Sequence, residues 1–136
     1  MGPSALEAQR TAIEHHFSLA GVPLMLASLA GDDSEFAQKT ARIMATRSPL
    51  MMCVTQELVK RGAAMDVADC LRMERTLVRH NFEHGEVLEG VRALVIDKDN
   101  APQWNPPSMA EVTEAMVQRF FQPVWPEWAH PLRHLA

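Results

Sequence analysis

The sequence predicts an all-α protein, a helical bundle of about six to seven helices. Apolar residues recur at helical spacing along most of the 136 residues, whereas the alternation typical of a half-buried strand is weak. The helix-favouring residues Ala, Leu, Met, Glu and Arg dominate the composition. This length is enough to bury the core of one ordinary domain, so we expect a single helical domain over residues 1–136.

Three helices are predicted in the first third of the chain. The first covers residues 5–17 and the second, a short apolar helix, covers residues 22–29. Asp32 with Glu35 three positions later has the spacing of a capping box. A third helix should therefore start there and continue to about residue 46.

Two longer helices are predicted in the middle of the chain. Ser48-Pro49 combines a hydroxyl cap with a proline at the first helical position, which indicates a fourth helix running to Arg61. Asp66 caps a fifth helix that continues to about residue 81, with an apolar stripe as its inner face. The members of this stripe are Val67, Cys70, Leu71, Leu77 and Val78.

Prolines interrupt the chain after the sixth predicted helix. That helix covers residues 86–95 and follows a break at His84-Gly85. Residues 102–107 contain three prolines and should form an extended linker. Trp104 is the large apolar side chain of this linker, so we expect it to anchor the linker on the helices.

One further helix is predicted near the end of the chain. Ser108 with Glu111 has the spacing of a capping box and indicates a helix over residues 109–121. Residues 122–136 contain three prolines and two tryptophans. We expect them to form a loop that packs on the helices rather than a regular element.

Charge and composition exclude several classes of function. The net charge is −4 with no concentrated basic face, which argues against nucleic acid and against a basic membrane-surface module. The apolar stretch at 17–30 is interrupted by Pro23 and lacks a preceding positive region, so we expect neither a membrane span nor a signal peptide. Cys53 and Cys70 form no CxxC group, which favours two reduced thiols in a cytoplasmic protein.

The histidines suggest a metal site without completing one. His80 and His84 are four residues apart with Glu83 between them, and His130 and His134 repeat the spacing. Two histidines on one helical face can bind zinc, but a site needs a third protein ligand, and the HExxH order is absent. We therefore expect no metal site.

Catalytic groups are also not evident. Cys53 and Cys70 lie among apolar residues, away from the cationic neighbours that activate a thiolate. Glu74 interrupts the apolar stripe of the fifth helix, so we expect it to face inward and to pair with Arg92. With no nucleophile–base pair in view, we expect no catalytic residue in this chain.

The most specific motif is the segment at residues 89–104, EGVRALVIDKDNAPQW. A helical EGVRA portion leads into a charged IDKD turn and an Ala-Pro-x-Trp anchor. Residues 33–37, the Arg47-Ser48-Pro49 start and residues 54–58 and 68–74 precede it in order. Over about residues 10–120 the chain resembles the C-terminal region of 3-hydroxyisobutyryl-coenzyme A hydrolases, a branch of the crotonase (enoyl-CoA hydratase/isomerase) superfamily.

This resemblance implies a role that depends on another part of the protein. In the family, the oxyanion hole and the reacting carboxylates belong to a spiral of strands and helices upstream of the matched region. The C-terminal helices cover the acyl pocket, form subunit contacts and, in related hydratases, bring a cationic residue near the coenzyme A nucleotide. By resemblance Lys98 is the candidate for that coenzyme A contact. We expect an acyl-CoA thioester as substrate only together with the missing catalytic part, and no separate cofactor.

Two hypotheses follow from the resemblance. The first is the C-terminal portion of a 3-hydroxyisobutyryl-CoA hydrolase-like protein acting on short acyl-CoA thioesters in valine breakdown, with hydratase or isomerase as the sister activities. The alternative is a free-standing, non-catalytic interaction or oligomerisation protein derived from that family. Under either, we expect a homo-oligomer or association with a crotonase-type subunit through the bare apolar faces of two helices. Those faces comprise Val22, Leu24, Met25, Leu26, Met51, Met52, Val54 and Leu58.

We predict that the chain by itself hydrolyses neither 3-hydroxyisobutyryl-CoA nor any other acyl-CoA thioester, and hydrates no enoyl-CoA. The reason is the lack of an oxyanion hole, which supplies most of the rate in such sites. Release of free thiol from 3-hydroxyisobutyryl-CoA, and hydration of crotonyl-CoA, measure this at several pH values. Turnover above buffer that is abolished by changing one residue of this chain would contradict the prediction.

Overall fold

The computed structural model describes residues 4–84 and 86–135, and the regular structure in these ranges is entirely helical. The helices are α1 (Ala5–Phe17), α2 (Val22–Ala30), α3 (Glu35–Met44), α4 (Pro49–Gly62), α5 (Val67–His84), α6 (Glu86–Val91) and α7 (Glu114–Arg119). A π-helical turn, Arg92–Ile96, follows α6, and short 3-10 turns occupy Met109–Glu111 and Glu127–Ala129. The predicted all-α fold of six to seven helices is confirmed.

Hydroxyl caps start four of these helices. The hydroxyl oxygens of Ser4, Ser34, Ser48 and Thr113 each accept a backbone N–H three positions later. Such a bond satisfies a donor that the first helical turn leaves free, which typically stabilises the helix by about 1 kcal/mol. The Ser48-Pro49 start is therefore as predicted. The predicted cap at Asp32 is wrong, because Asp32 instead accepts the backbone N–H of Ser34 at 2.7 Å and Ser34 caps α3.

The described chain divides into two compact units, one up to Arg47 and one from Ser48 onward. The first contains α1–α3. Its buried side chains are Val22, Met25 and Leu29 of α2, Ala37 of α3, and His16 of α1. The expectation of one helical domain over residues 1–136 stays a prediction beside this division.

The second unit is built around a core from α4, α5 and the end of α7. Its buried members are Leu50, Val54, Leu77, Val117 and Phe120. Arg61 ties α4 to α7, because its guanidinium bonds to Gln118 and lies 4.0 Å from the ring centroid of Phe121. Within the described ranges, no helix has the length and apolar character needed to cross a bilayer.

The apolar stripe predicted as the inner face of α5 lies largely on its outer side. Val67 is 76% exposed, Leu71 40% and Val78 45%, whereas Leu77, Thr76 and His80 are buried. Leu77 is thus the one member of the predicted stripe that is buried as expected, and Cys70 is partly buried, so the buried face of α5 lies towards Thr76 and His80. Glu74 belongs to the exposed face, so the expectation that it points inward is wrong.

The last predicted helix is shorter than expected. Ser108 does not cap it, because its hydroxyl donates to the Glu111 carboxylate at 2.6 Å and the turn there is 3-10. Val112 is extended, and Thr113 begins α7 instead. At the other predicted boundary, α5 continues to His84, while Gly85, the expected break, lies outside the described residues.

Several apolar side chains that were expected to be bare are covered within their own units. Val22, Met25 and Val54 are 3%, 7% and 2% exposed, so the expectation for these three is wrong. Leu24, at 55%, is exposed as expected. Other exposed apolar residues lie on α5 and in the π-helical turn after α6, where Leu94 and Ile96 are 67% and 69% exposed.

Trp104 packs on α6, as predicted for the anchor of the linker. A Cβ atom added at Gly90 would lie 3.4 Å from Trp104 Cη2, so the indole ring rests directly on the helix where it has no side chain. The absence of a side chain at Gly90 permits this close approach. The indole is half-buried rather than fully buried.

We predict that Trp104→Ala lowers the free energy of unfolding by about 2 kcal/mol, since a fully buried Trp is worth about 3–5 kcal/mol and this one is half-buried. Urea unfolding followed by circular dichroism measures the change. Trp128→Ala is the matched control, because Trp128 is 79% exposed, and its loss should be below about 0.5 kcal/mol. Equal losses in the two variants would show that Trp104 does not anchor the linker.

Candidate functional site

Arg92 is the centre of the segment that the sequence identified as most specific. Its Nε and Nη2 donate to the two oxygens of Glu89 at 2.9 and 2.8 Å, a bidentate pair. Its Nη1 donates to Asp97 at 2.6 Å and to Asp99 at 2.7 Å. Its Nη2 also donates to the backbone carbonyl of Ala101 at 3.2 Å. The five N–H donors of a guanidinium thus have five acceptor contacts here.

The carboxylates of α6 also hold the linker backbone. Glu89 Oε1 accepts the N–H of Gln103 at 2.6 Å, and Glu86 Oε1 accepts the N–H of Asn105 at 3.1 Å. A proline-rich segment cannot satisfy its own backbone groups by regular structure, so these side chains take that role. We call Glu86, Glu89, Arg92, Asp97 and Asp99 the Arg92 clasp.

The π-helical turn sets the geometry of the clasp. The N–H of Asp97 bonds to the carbonyl of Arg92 at 2.8 Å, five residues earlier, and the N–H of Asn100 bonds to the carbonyl of Ala93 at 3.0 Å. A wider turn of this kind changes the direction of the chain within a short distance. It brings Asp97 and Asp99 back to the guanidinium that precedes them.

The clasp shifts the pKa values of Glu89, Arg92 and Asp99. Arg92, followed by the N–H of Gln103, lowers the pKa of Glu89 from its ordinary 4.5 to about 2. Arg92 and the N–H of Ala101 lower the pKa of Asp99, and the three carboxylates raise the pKa of Arg92. The ionised forms are therefore stabilised, which is the behaviour of a structural ion network rather than of a proton-transfer site. The expected pairing of Arg92 with Glu74 is wrong, because nearer acidic groups occupy the guanidinium.

Lys98 lies at the tip of the turn that the clasp holds. Its backbone has φ of 57°, and Asn100 has φ of 53°. This left-handed conformation costs a residue with a side chain on the order of 1 kcal/mol or more, and asparagine tolerates it better than lysine. The side chain of Lys98 is exposed, between the two clasp aspartates in the sequence. Its coenzyme A contact stays a prediction.

The two cysteines are packed thiols. Both are free and partly buried, and burial followed by the charge of Glu114 raises the pKa of Cys53. Cys53 Sγ lies 3.6 Å from Met109 Sδ, and Cys70 Sγ lies 3.8 Å from the carbonyl of Gly62. A raised pKa keeps the Cys53 thiol protonated and weakens it as a nucleophile.

The structure brings together a serine, a histidine and an aspartate that sequence reasoning missed. His16, which is 1% exposed, has Nδ1 at 2.8 Å from Ser28 Oγ and Nε2 at 3.0 Å from Asp32 Oδ2. An ionised carboxylate only accepts, so in the neutral ring Nε2 carries the proton and Nδ1 accepts from the serine hydroxyl. A serine hydroxyl therefore lies beside a histidine nitrogen, a contact that the sequence analysis did not predict, while the expectation of no catalytic residue stays a prediction. The residues are 12 and 16 positions apart, a separation for which sequence offers no signal.

The contact of Ser28 with His16 and Asp32 lacks an oxyanion hole, which a nucleophilic serine needs for catalysis. Ser28 lies inside α2, where backbone N–H groups bond to carbonyls one turn earlier. They are not available as a pair of donors for a developing oxyanion. The arrangement is explained as a buried polar tie between α1, α2 and the start of α3, in which each histidine nitrogen has a partner.

The two histidine pairs of the sequence differ in the structure. His80 and His84 lie side by side at the end of α5, with Nδ1 of the first 3.4 Å from Nε2 of the second. His130 uses its Nδ1 to accept the N–H of Leu132 at 3.1 Å and packs edge-on against Trp125.

Comparison with known proteins places these features in a family. Residues 1–121 match the model of the enoyl-CoA hydratase/isomerase family. The chain is 35% identical over 119 residues to the mitochondrial 3-hydroxyisobutyryl-CoA hydrolase of Danio rerio, covering 88% of this chain and 31% of that protein. It is 37% identical over 94 residues to the corresponding protein of Dictyostelium discoideum, covering 68% of this chain and 25% of the relative.

A solved structure is also similar to this chain, both in fold and in sequence. The crystal structure of a carnitinyl-CoA dehydratase from Mycobacterium thermoresistibile matches with a TM-score of 0.86 and 35% identity, over 93% of this chain and 36% of that one. The chain thus spans between a quarter and about a third of the length of the curated relatives named above.

We predict that Glu89→Gln removes part of the acid sensitivity of the fold. Because the folded-state pKa of Glu89 is depressed to about 2, its contribution is present above pH 4.5 and is lost as the pH falls towards 2. Urea unfolding of the wild type between pH 6 and about pH 2.5 should show that loss, and the variant should show a smaller one. Asp99, whose pKa is also lowered, still titrates in both proteins, so the variant will still lose some stability as the pH falls.

Glu127→Gln is the control for this comparison, because Glu127 is exposed and lies outside the clasp. Its stability should follow the wild-type pH dependence. If Glu89→Gln also follows the wild type throughout, the ion network does not contribute to the stability of the folded chain.

Proposed function

This chain belongs to the enoyl-CoA hydratase/isomerase family, and we propose that it supplies the C-terminal helical part of a 3-hydroxyisobutyryl-CoA hydrolase-like protein. The full protein would hydrolyse a short acyl-CoA thioester in valine breakdown. In this proposal the helices of the chain cover the acyl pocket and form subunit contacts. The thioester chemistry belongs to the part of the protein that the relatives contain beyond the matched region.

The observation that carries the proposal is the exposed apolar face of α5. Val67, Leu71, Val78 and Phe82 follow one another at helical spacing on this face, and their exposed fractions are 76%, 40%, 45% and 56%. Scattered apolar residues on a surface are ordinary, but four large apolar side chains on one face of a helix, here interrupted by Glu74, are typical of a surface that meets another protein surface. A catalytic part of the same enzyme is the surface that this family membership suggests.

The proposed role of the Arg92 clasp is to present Lys98. Its network gives the IDKD turn a defined shape, and the lysine side chain extends from that turn. A lysine ammonium is a suitable partner for the phosphates of coenzyme A, since it acts as a compact, exposed positive charge. Association into a homo-oligomer, or with a crotonase-type subunit, and the cytoplasmic location stay predictions.

A chimaeric enzyme tests this proposal. The segment of the Danio rerio hydrolase that this chain matches is replaced by the corresponding residues of this chain, and hydrolysis of 3-hydroxyisobutyryl-CoA is measured. We expect the chimaera to be active, because the substituted helices would form the same contacts. A chimaera that folds by circular dichroism but shows no turnover would contradict the proposal and favour a free-standing interaction protein.

Lys98→Ala within the chimaera tests the coenzyme A contact separately. An exposed charge contact contributes up to about 1 kcal/mol, so we expect KM to rise about threefold to fivefold with kcat nearly unchanged. Lys39→Ala is the matched control, an exposed lysine on α3 outside the clasp, and should leave KM unchanged. An unchanged KM in the Lys98 variant would remove this residue from the site.

A further inference from the structure

The end of α5 brings two imidazoles and one carboxylate within reach of a single ion. The ligand atoms of His80, Glu83 and His84 all lie within 4.8 Å of one another. His80 Nδ1 and His84 Nε2 are 3.4 Å apart. Two nitrogens bound to one tetrahedral ion at about 2.0–2.1 Å lie about 3.4 Å apart, so the imidazole pair already has the required spacing.

A backbone contact fixes the tautomer of the neutral His80 ring. Its Nε2 lies 2.8 Å from the carbonyl oxygen of Gln122, which can only accept. In the neutral ring, the proton is therefore on Nε2 and the lone pair is on Nδ1, the nitrogen that faces His84. Metal-binding histidines commonly use such an outer hydrogen bond to fix their tautomer and ring orientation.

The surroundings hold this pair in place. His80 is 6% exposed, and the rings of His80 and His84 pack on Phe120 with centroid distances of 6.1 and 5.7 Å. Phe120 is itself buried in the core of the second unit. Ordered ligands lose little freedom when an ion binds, which favours affinity.

We propose that His80 Nδ1, His84 Nε2 and the Glu83 carboxylate bind one divalent transition-metal ion of the zinc or nickel class, with water completing the coordination. Imidazole with carboxylate is a ligand set suited to these ions. Glu83, whose side chain is 39% exposed, has the freedom to turn towards the ion. The inference does not depend on the proposed acyl-CoA function.

Two arginines limit the affinity of this site. Arg79 pairs with Glu83 and competes with the ion for its carboxylate. Arg119 places a further positive charge near His84. The same positive charges repel a divalent cation. The site should therefore bind more weakly than a structural site with four protein ligands.

Metal titration of the full chain, prepared without a histidine affinity tag and freed of metal by a chelator, tests the proposal. We expect one equivalent of Zn²⁺ or Ni²⁺ to bind in calorimetry, and Co²⁺ to give the visible absorption of an ordered site. His84→Ala should weaken binding at least about tenfold, the loss expected when an ordered metal site is damaged. His134→Ala, which changes the histidine pair of the tail, should bind as the wild type does.

Arg79→Ala gives a test in the opposite direction that misfolding cannot imitate. Removing the competing guanidinium frees Glu83, so this variant should bind Zn²⁺ more tightly than the wild type, and Glu83→Gln should remove that gain. The proposal would be overturned if the wild type bound Zn²⁺ no more tightly than His84→Ala. It would also be overturned if His134→Ala lost the binding instead. Neither result would alter the outcome of the chimaera experiment.

Discussion

The hydrogen bonds of the Arg92 guanidinium hold together the segment at residues 89–104, the most specific motif of this chain. A single side chain joins α6, the π-helical turn and the proline-rich linker through contacts with Glu89, Asp97, Asp99 and Ala101. Lysine could not replace it, because an ammonium has three donors and no planar fork. The motif residues are thus explained by one geometrical requirement, a set of acceptors arranged around one cation.

The Arg92 clasp also explains the remaining members of the motif. Gly90 leaves space for the indole of Trp104, and Glu89 serves both the guanidinium and the N–H of Gln103. The left-handed backbone at Lys98 and Asn100 is a cost that the surrounding bonds offset. Stability and the exposed position of Lys98 therefore arise from the same bonds, which links the fold of this segment to its proposed part in coenzyme A binding.

The outer face of α5 shows why periodicity alone misplaced its buried side. The apolar spacing of Val67, Leu71 and Val78 is real, but these side chains are exposed in this chain, while Leu77, also a member of the stripe, and His80 are buried. Hydrophobic periodicity reports burial in the whole protein and does not distinguish which partner provides it. Under the proposed function, the rest of the full protein would provide that burial.

The sequence by itself determined the all-α class, the start of α4 at Ser48-Pro49 and the family, because helical spacing, caps and the motif at residues 89–104 are local features. Tertiary structure decided which acceptors Arg92 takes and which face of α5 is buried. It also decided the contacts of His16 with Ser28 and Asp32, and of His80 with Gln122, 42 residues away. Such partners are chosen by the packing of helices distant in sequence, which local spacing does not encode.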